Sequence, residues 1–593
     1  MKIFLVAALL GPALAGSAVS AGEILSFDDV QPGMKGKGLT VFAGTEVTEF
    51  DVEILGKLPN IGPRQNLILG RCSGGPLAEA GVLSGMSGSP VYVEDRLIGA
   101  VAYSWGFATD AIAGITPIEE MLAVVDRDEG SPRTAAASGL TLDDLRRLRA
   151  PERIPTFLSA RIAGLAPRAA GGTPFRLPMA IAGVGPGGLA RMAPDLLEAG
   201  FLPVQGSTSG RAADPAPPME AGSAVGLKLV RGDIDISVSG TVTWVEGDRL
   251  LAFGHPLFGL GNIDLPLTGA RVEAILPSLN QSMRIASPLA EVGALRQDRA
   301  AGIYGRIGTK SRMIPVRLQL DSESGPPQTF SFDLADDPLL APLLLYSSLN
   351  GVLANAERLL GNITVGLAPG SVIKLEGRED VELANLFAGA TASYYATGTS
   401  AFILYLLMNN DWSPPRIAGI NLMLEYDRHP RTARIRRVTL DRYRVRAGEP
   451  ITATVVLTPF RGPDMVLSRE IEIPAETEPG RLVLSVGGAL AVSRSEGSGE
   501  TVFPKDLDQL IWLINNLRKN DRVYVVASRD DSGVFLGGAR LPNLPPSVTS
   551  ILARPRSLGN YAVIRQRGIL EEEIPTGLAV TGLTTIQLEV EAP

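Results

Sequence analysis

The chain has almost none of the side chains that build covalent cross-links and nitrogen or sulfur metal centres. Cys72 is its only cysteine, which excludes intramolecular disulfides and any cysteine-built zinc site. Only His255 and His429 carry imidazoles, so a multi-histidine metal centre is excluded too, and a metal would need oxygen ligands. Neither a metal nor an organic cofactor is expected. Aromatic residues make up 5% of the chain, which weighs against a sugar-stacking platform without excluding one. There is no long basic run: 55 basic against 63 acidic side chains give a net charge of -8, and no aromatic-rich basic patch occurs. Nucleic acid is therefore not an expected partner. The apolar stretches Ile3 to Ala15 and Ala401 to Met408 both fall short of the roughly 20 residues that span a bilayer, so no membrane span is expected once a leader is removed.

What is present begins with an export signal. Lys2 precedes the apolar run from Ile3 to about Ala15, and small residues follow through Val19-Ser20-Ala21. That pattern suits a signal peptidase, with residues 1–21 removed and a mature chain starting near Gly22, in the periplasm or at the cell surface. The remaining length exceeds one ordinary core, so three or four units are expected. Residues 22–130 show short apolar alternations separated by glycine turns, as in Val52-Glu53-Ile54-Leu55-Gly56, the pattern of a β-rich unit. Residues 131–218 read as an inserted α/β segment, with a charged helix near Thr141 to Arg149 and a Gly/Ser/Ala/Pro-rich linker from Gly206 to Pro218. Alternation resumes over 219–335. Residues 336–428 form a helical and mixed connecting region, with a helix from Pro338 to Leu360. Residues 429–593 read as β-sandwich-like modules with an amphipathic helix at Asp506 to Arg518.

The chemistry centres on Gly85-Met86-Ser87-Gly88-Ser89-Pro90. A serine hydroxyl attacks only when a base takes its proton, and the oxyanion that follows needs N–H donors aimed at it. A glycine-flanked serine on a tight turn answers the second need through the amides of Gly85 and Ser87. A plain hairpin turn would use the same residue types. The base must be one of two histidines. His429 lies between Arg428 and Pro430 in a charged turn, which leaves His255 in Gly254-His255-Pro256 as the candidate.

The succession after Ser87, a strand, a turn at Glu94-Asp95-Arg96, a second strand to Tyr103 and then Ser104-Trp105-Gly106, resembles the last part of chymotrypsin-like serine peptidases. That resemblance implies that Tyr103, Ser104, Trp105 and Gly106 pair with substrate backbone. The motif is closer still to the SpoIVB-type serine peptidases, the family of the stage IV sporulation protein B. It reproduces their Gly-Met-Ser-Gly-Ser-Pro, and Gly254-His255 after Gly240-Thr241-Val242-Thr243-Trp244-Val245 resembles their histidine step. Gly302-Ile303-Tyr304-Gly305 also looks family-like. The family places its histidine segment before its serine segment, whereas Ser87 comes first here, 168 positions ahead of His255. Catalytic groups recur in several chain orders with one geometry. The family also has an aspartate shortly before the nucleophile, where this chain offers only Glu79. Asp264 and Asp298 follow His255 but have plain readings as turn or surface carboxylates, leaving a dyad with a backbone or water partner for the imidazole.

Gly183-Val184-Gly185-Pro186-Gly187-Gly188 satisfies a dinucleotide fingerprint literally, but Pro186 removes an N–H and no acid follows at the ribose position. Cys72 reads as a buried small residue. The expected molecule is mainly β and multidomain: two chymotrypsin-like barrel halves, an α/β insertion and C-terminal β-sandwich-like modules. Its expected role is that of an exported serine endopeptidase acting on envelope proteins, and on its own linkers, with protein or peptide as partner. The alternatives are a non-catalytic envelope scaffold that binds extended polypeptide with a peptidase-like fold and, on fold-level analogy alone, a carbohydrate-binding or adhesive protein led by its sandwich.

Overall fold

Short β-strands that alternate in side-chain direction and close on themselves leave no sheet edge exposed, and the chain uses this device twice. The computed structural model describes residues 24–105, 108–125, 140–165, 176–206, 214–323, 325–356, 361–496, 503–536, 539–542, 545, 547–548 and 561–592. The expected leader, most of the linker after Gly206 and Gly106 lie outside these residues.

The first barrel comprises β1 (Lys35–Val41), β2 (Val47–Gly62), β3 (Gln65–Ser73), β4 (Pro90–Val93), β5 (Arg96–Ser104) and β6 (Ile112–Pro117), closed in the order 1-2-3-6-5-4. Val93 pairs with Arg96 across Glu94 and Asp95, both at positive φ, the two-residue turn whose twist suits a hairpin. A single turn of helix, α1 (Leu77–Ala80), precedes the Ser87 loop, and α2 (Ile118–Val125) follows β6.

The second barrel comprises β9 (Ala224–Gly232), β10 (Asp235–Glu246), β11 (Arg249–Ala252), β12 (Gly261–Leu276), β13 (Met283–Arg299) and β14 (Gly302–Ile307). Its pairings run β9–β10–β11–β14–β13–β12 and back to β9. Numbered within the barrel, this is again 1-2-3-6-5-4. Residues 224–230 and 235–243 are buried without alternation, as in strands covered on both faces. Strand β10 continues outward to β7 (Leu177–Ala182) and β8 (Phe201–Gln205), and β9 continues to β16 (Gly325–Ala335) and β15 (Met313–Ser322). Beyond them lie β17 (Ile363–Leu367), β18 (Val372–Leu375), β19 (Val381–Glu382), β20 (Asn385–Gly389) and β21 (Ile417–Asp427), which complete one 15-stranded sheet.

Helices cover this sheet: α3 (Leu142–Leu148), α4 (Ile154–Ala163), α5 (Gly185–Glu198), α6 (Leu340–Ala356) and α7 (Ala392–Met408). Thr141 and Asp144 close a capping box at the start of α3. The apolar run ending at Met408 belongs to α7, which is buried nearly throughout. No described helix is long and apolar enough to cross a membrane.

The glycine fingerprint has a packing explanation. A Cβ on Gly188 would lie 2.5 Å from Gly351 O, and one on Gly185 would lie 2.1 Å from Asn355 Oδ1. Helix α6 thus occupies the space over the start of α5 where a pyrophosphate would sit.

Residues 432–591 hold two facing sheets. One joins β22 (Thr432–Leu440), β24 (Pro450–Pro459), β25 (Met465–Glu472) and β30 (Ala579–Thr581). The other joins β23 (Arg444–Arg446), β26 (Gly480–Gly488), β27 (Arg522–Leu536), β28 (Ala539–Pro542), β29 (Tyr561–Pro575) and β31 (Leu583–Glu591). Their inner faces share a core that includes Ile451, Val455, Leu484 and Val525, a sandwich. Between β26 and β27 lie α8 (Ala489–Ser495) and α9 (Leu507–Asn515); the latter buries Leu507, Leu510, Ile511 and Ile514 against the core of the large sheet.

Because Gly188 meets a backbone carbonyl that cannot rotate away, Gly188→Ala is expected to destabilise the protein by about 1 to 3 kcal/mol through overpacking. Chemical denaturation against the wild type checks this, and unchanged stability would mean that α5 and α6 do not touch there.

Candidate active site

The Ser87 loop is short and glycine-rich because it is pressed directly against the second barrel. Gly85 and Gly88 have φ of 97° and 95°, a region that favours glycine. A Cβ on Gly88 would lie 1.9 Å from Thr241 O. With these positions fixed, the carbonyls of residues 84 to 88 all find partners. Ser84 O accepts from Arg284 N at 3.0 Å, Ser87 O from Thr241 N at 2.8 Å and Met86 O from Ser89 N at 2.9 Å. Gly85 O accepts from Thr241 Oγ1 at 3.1 Å and from Arg284 Nη2, and Gly88 O accepts from Thr243 Oγ1 at 2.8 Å. Met86 itself is buried in the first barrel's core.

The N–H groups are treated differently. Gly88 N donates to Val101 O, Ser89 N to Met86 O and Met86 N to Leu83 O. Among the described residues the amides of Gly85 and Ser87 donate to no group. Buried backbone donors are rarely left so, and these are the two N–H groups that an oxyanion would use.

His255 reaches the same junction along a chain of contacts. Thr241 O accepts from Phe253 N at 3.3 Å, and Gly254 O accepts from Thr116 Oγ1 of the first barrel at 2.7 Å. Phe253 has φ of 71° and Gly254 of 68°. Phe253 is 0% exposed, so a non-glycine residue holds a left-handed backbone in the packed interior, strain of the kind that collects at functional sites.

Ser87 is 0% and His255 1% exposed. Ser87 Oγ and His255 Nε2 are both buried without a hydrogen-bond partner, and no hydrogen bond joins them. The other ring nitrogen, Nδ1, lies 2.8 Å from Pro256 O. A carbonyl only accepts, so Nδ1 carries the proton and Nε2 presents its lone pair. Burial lowers the imidazole pKa to about 4, partly opposed by the Pro256 carbonyl. The ring is therefore neutral at pH 7, the state a base requires.

No carboxylate orients the imidazole among the described residues. Glu79 is exposed on α1, and Asp264 pairs with Arg296 at 2.8 Å. Asp298 is not the surface or turn group that its sequence context implies. It is 0% exposed and accepts from the amides of Leu257, Phe258 and Leu260 at 2.8, 2.8 and 3.2 Å. It holds the loop after His255 rather than the ring. Burial raises its pKa, against the lowering effect of those amides. His429 is an exposed group beside Asp427, and the Cys72 thiol is buried and pushed up to about 12 by desolvation.

The expected substrate edge is partly described. Strand β4 pairs with β5 no further than Ala100, while β6 pairs on the other side with Tyr103 and Ser104. Among the described residues, no strand pairs with the β4 side of Tyr103 and Ser104. Tyr103 is buried with Leu67 and Ala102, and Trp105 packs partly against them. Gly106 lies outside the described residues. Sequence reasoning missed Thr241, Thr243 and Arg284, whose side chains reach across to the serine loop. The only visible signal was Thr241 and Thr243 alternating within Gly-Thr-Val-Thr-Trp, which reads as ordinary strand.

Two barrels of one strand order, a glycine-flanked serine on the first and a Gly-His step on the second, define a chymotrypsin-like, mainly β, multidomain protein. Residues 18–122 match the family model of the SpoIVB peptidase S55, so the segment that carries Ser87 is similar to SpoIVB-type peptidases. His255 lies beyond the matched span. No curated protein and no solved structure matches the chain.

The buried imidazole titrates near 4 and an unfolded one near 6.5. Between those values the unfolded chain binds a proton that the folded chain does not. The His255 contribution is thus fully present above about pH 6.5 and falls by about 3 kcal/mol as pH drops toward 4. Histidine-labelled NMR, with His255→Gln to identify the resonance, is expected to show this ring neutral at pH 5. A midpoint at or above 6.5 would mean that the ring is solvated.

Proposed function

We propose that the protein is an exported serine endopeptidase of the SpoIVB type, in which Ser87 is the nucleophile and His255 the general base. The observation that carries this reading is the pair of buried, unpartnered atoms at one barrel junction, Ser87 Oγ and His255 Nε2. Burial of such groups without partners costs stability, which a catalytic role accounts for. The free amides of Gly85 and Ser87 and the neutral imidazole support the same reading.

In the reaction, Ser87 Oγ forms a bond to the peptide carbonyl carbon as its proton passes to His255 Nε2. The carbonyl π pair moves to oxygen, between the amides of Gly85 and Ser87. Collapse breaks the C–N bond, and the leaving amine takes the proton from Nε2. Water then repeats the sequence on the ester and returns Ser87. Pro256 O serves in place of an acid, fixing the tautomer while adding no negative charge. The β4-free side of Tyr103 and Ser104 supports recognition of an extended polypeptide by strand addition. Lys2, the apolar run after it and the small residues to Ala21 support export, with proteins of the cell envelope, and linkers of this chain, as substrates.

Ser87 is covered, so reaction with a large substrate requires the junction to open. A small fluorophosphonate tests the serine directly: its oxygen bonds to phosphorus, fluoride leaves, and the proton passes through His255 to solvent. Labelling is expected at Ser87 in the wild type and absent in Ser87→Ala and His255→Ala. Three folded but unlabelled proteins would instead favour a polypeptide-binding scaffold.

A further inference from the structure

We propose that Arg284, on the second barrel, is the positioning residue that holds the serine loop of the first barrel in its oxyanion-binding form. The inference rests on the serine-peptidase reading of Ser87 and concerns a residue distant in sequence from both motifs.

Arg284 is 1% exposed and ranks among the largest fully buried side chains. It grips the loop twice. Its backbone N–H donates to Ser84 O at 3.0 Å, while Ser84 N donates to Ser282 O at 2.8 Å, forming a bridge between the barrels. In a trans peptide the C=O and N–H point in opposite directions. Holding Ser84 O toward β13 therefore turns the Gly85 N–H away from β13.

The side chain then secures the next peptide. Nη2 donates to Gly85 O and, at 3.0 Å, to Thr241 Oγ1, while Nη1 donates to Val41 O at 2.6 Å and Thr40 Oγ1 at 3.1 Å. Thr40 Oγ1 also accepts from Ser89 Oγ at 3.0 Å. One planar fork thus ties β1, the serine loop and β10 together. Gly85 lies against the fork, since a Cβ there would be 3.2 Å from Nε.

The partners of the guanidinium are all carbonyls and hydroxyls; among the described residues no carboxylate pairs with it. Desolvation accordingly brings its pKa down to about 9. Burying a guanidinium without a counter-ion is costly, and a structural anchor alone would be served as well by apolar packing. The peptide whose carbonyl the fork holds carries the Met86 N–H, which donates to Leu83 O, so the fork acts on the Gly85 amide by fixing the chain on its C-terminal side.

The test measures the rate of fluorophosphonate labelling at Ser87 in the full chain, alongside melting temperature and amide exchange over residues 83–89. Arg284→Met keeps the volume and removes the fork. It is expected to fold, to label at least about 100-fold more slowly, the loss typical of one oxyanion donor, and to lose exchange protection over 83–89 more than elsewhere in the barrels. Arg284→Lys keeps a charge but cannot reach both sides, so an intermediate rate is expected, and it replaces the Met variant if that fails to fold. Labelling of a folded variant within about threefold of the wild type would overturn the proposal. So would loss of protection spread evenly over both barrels. If the wild type is not labelled, the peptidase reading falls, and exchange alone decides whether Arg284 holds the loop: unchanged protection over 83–89 in either variant overturns that as well.

Discussion

The structure depends on one constraint, that the carbonyls of the serine loop are held and two of its amides are not. Four of the five carbonyls from Ser84 to Gly88 accept from the second barrel, and the fifth, that of Met86, accepts from Ser89 within the loop. Because a trans peptide fixes C=O against N–H, holding the carbonyls on one side sets the amides on the other. The glycines follow from this. A side chain at Gly88 would meet Thr241 O, and one at Gly85 the Arg284 fork. The loop has its shape through the other barrel, which makes the two barrels one functional object despite the long stretch of chain between them.

That dependence also accounts for how the serine segment can precede the histidine segment. The contacts that matter run between barrels: Thr241 to Ser87, Thr243 to Gly88, Arg284 to Ser84 and Thr116 to Gly254. None is local in sequence, so none requires a particular order of the barrels along the chain. Both barrels have the same 1-2-3-6-5-4 pairing. Apolar packing of Leu97, Ala100 and Met121 against Leu251 and Tyr304 closes the junction on its flank.

The parts legible from the sequence were those encoded by neighbours in the chain. The serine turn, the turn at Glu94-Asp95, the charged helix near Thr141 and the apolar core run Ala401 to Met408 each carry a local signal of turn chemistry, charge or hydrophobicity. The rest depended on partners far away. Arg284 sits in a strand where an arginine ordinarily faces solvent, and nothing beside it reveals that carbonyls surround it. Asp298 read as a surface acid because the amides that hold it, of Leu257, Phe258 and Leu260, come from another loop. The fingerprint at Gly183 to Gly188 was legible as glycine need but not as its cause, since Gly351 and Asn355 approach from a helix more than 150 residues later.

The electrostatics of the junction bind these features into one account. In the resting state the fixed charge there is that of Arg284, because desolvation keeps His255 neutral. A cation on the ring would be opposed by burial. In the proposed reaction the imidazolium appears together with the oxyanion, so the new positive charge forms only when a new negative charge forms beside it. An aspartate on Nδ1 would raise the imidazole pKa and stabilise the cation in the ground state as well; the Pro256 carbonyl orients the ring with less of that effect. On the proposed reading, the lack of an acid on the ring among the described residues and the buried arginine belong together: Arg284 fixes the serine loop through the Gly85 carbonyl, and the base stays uncharged until proton transfer.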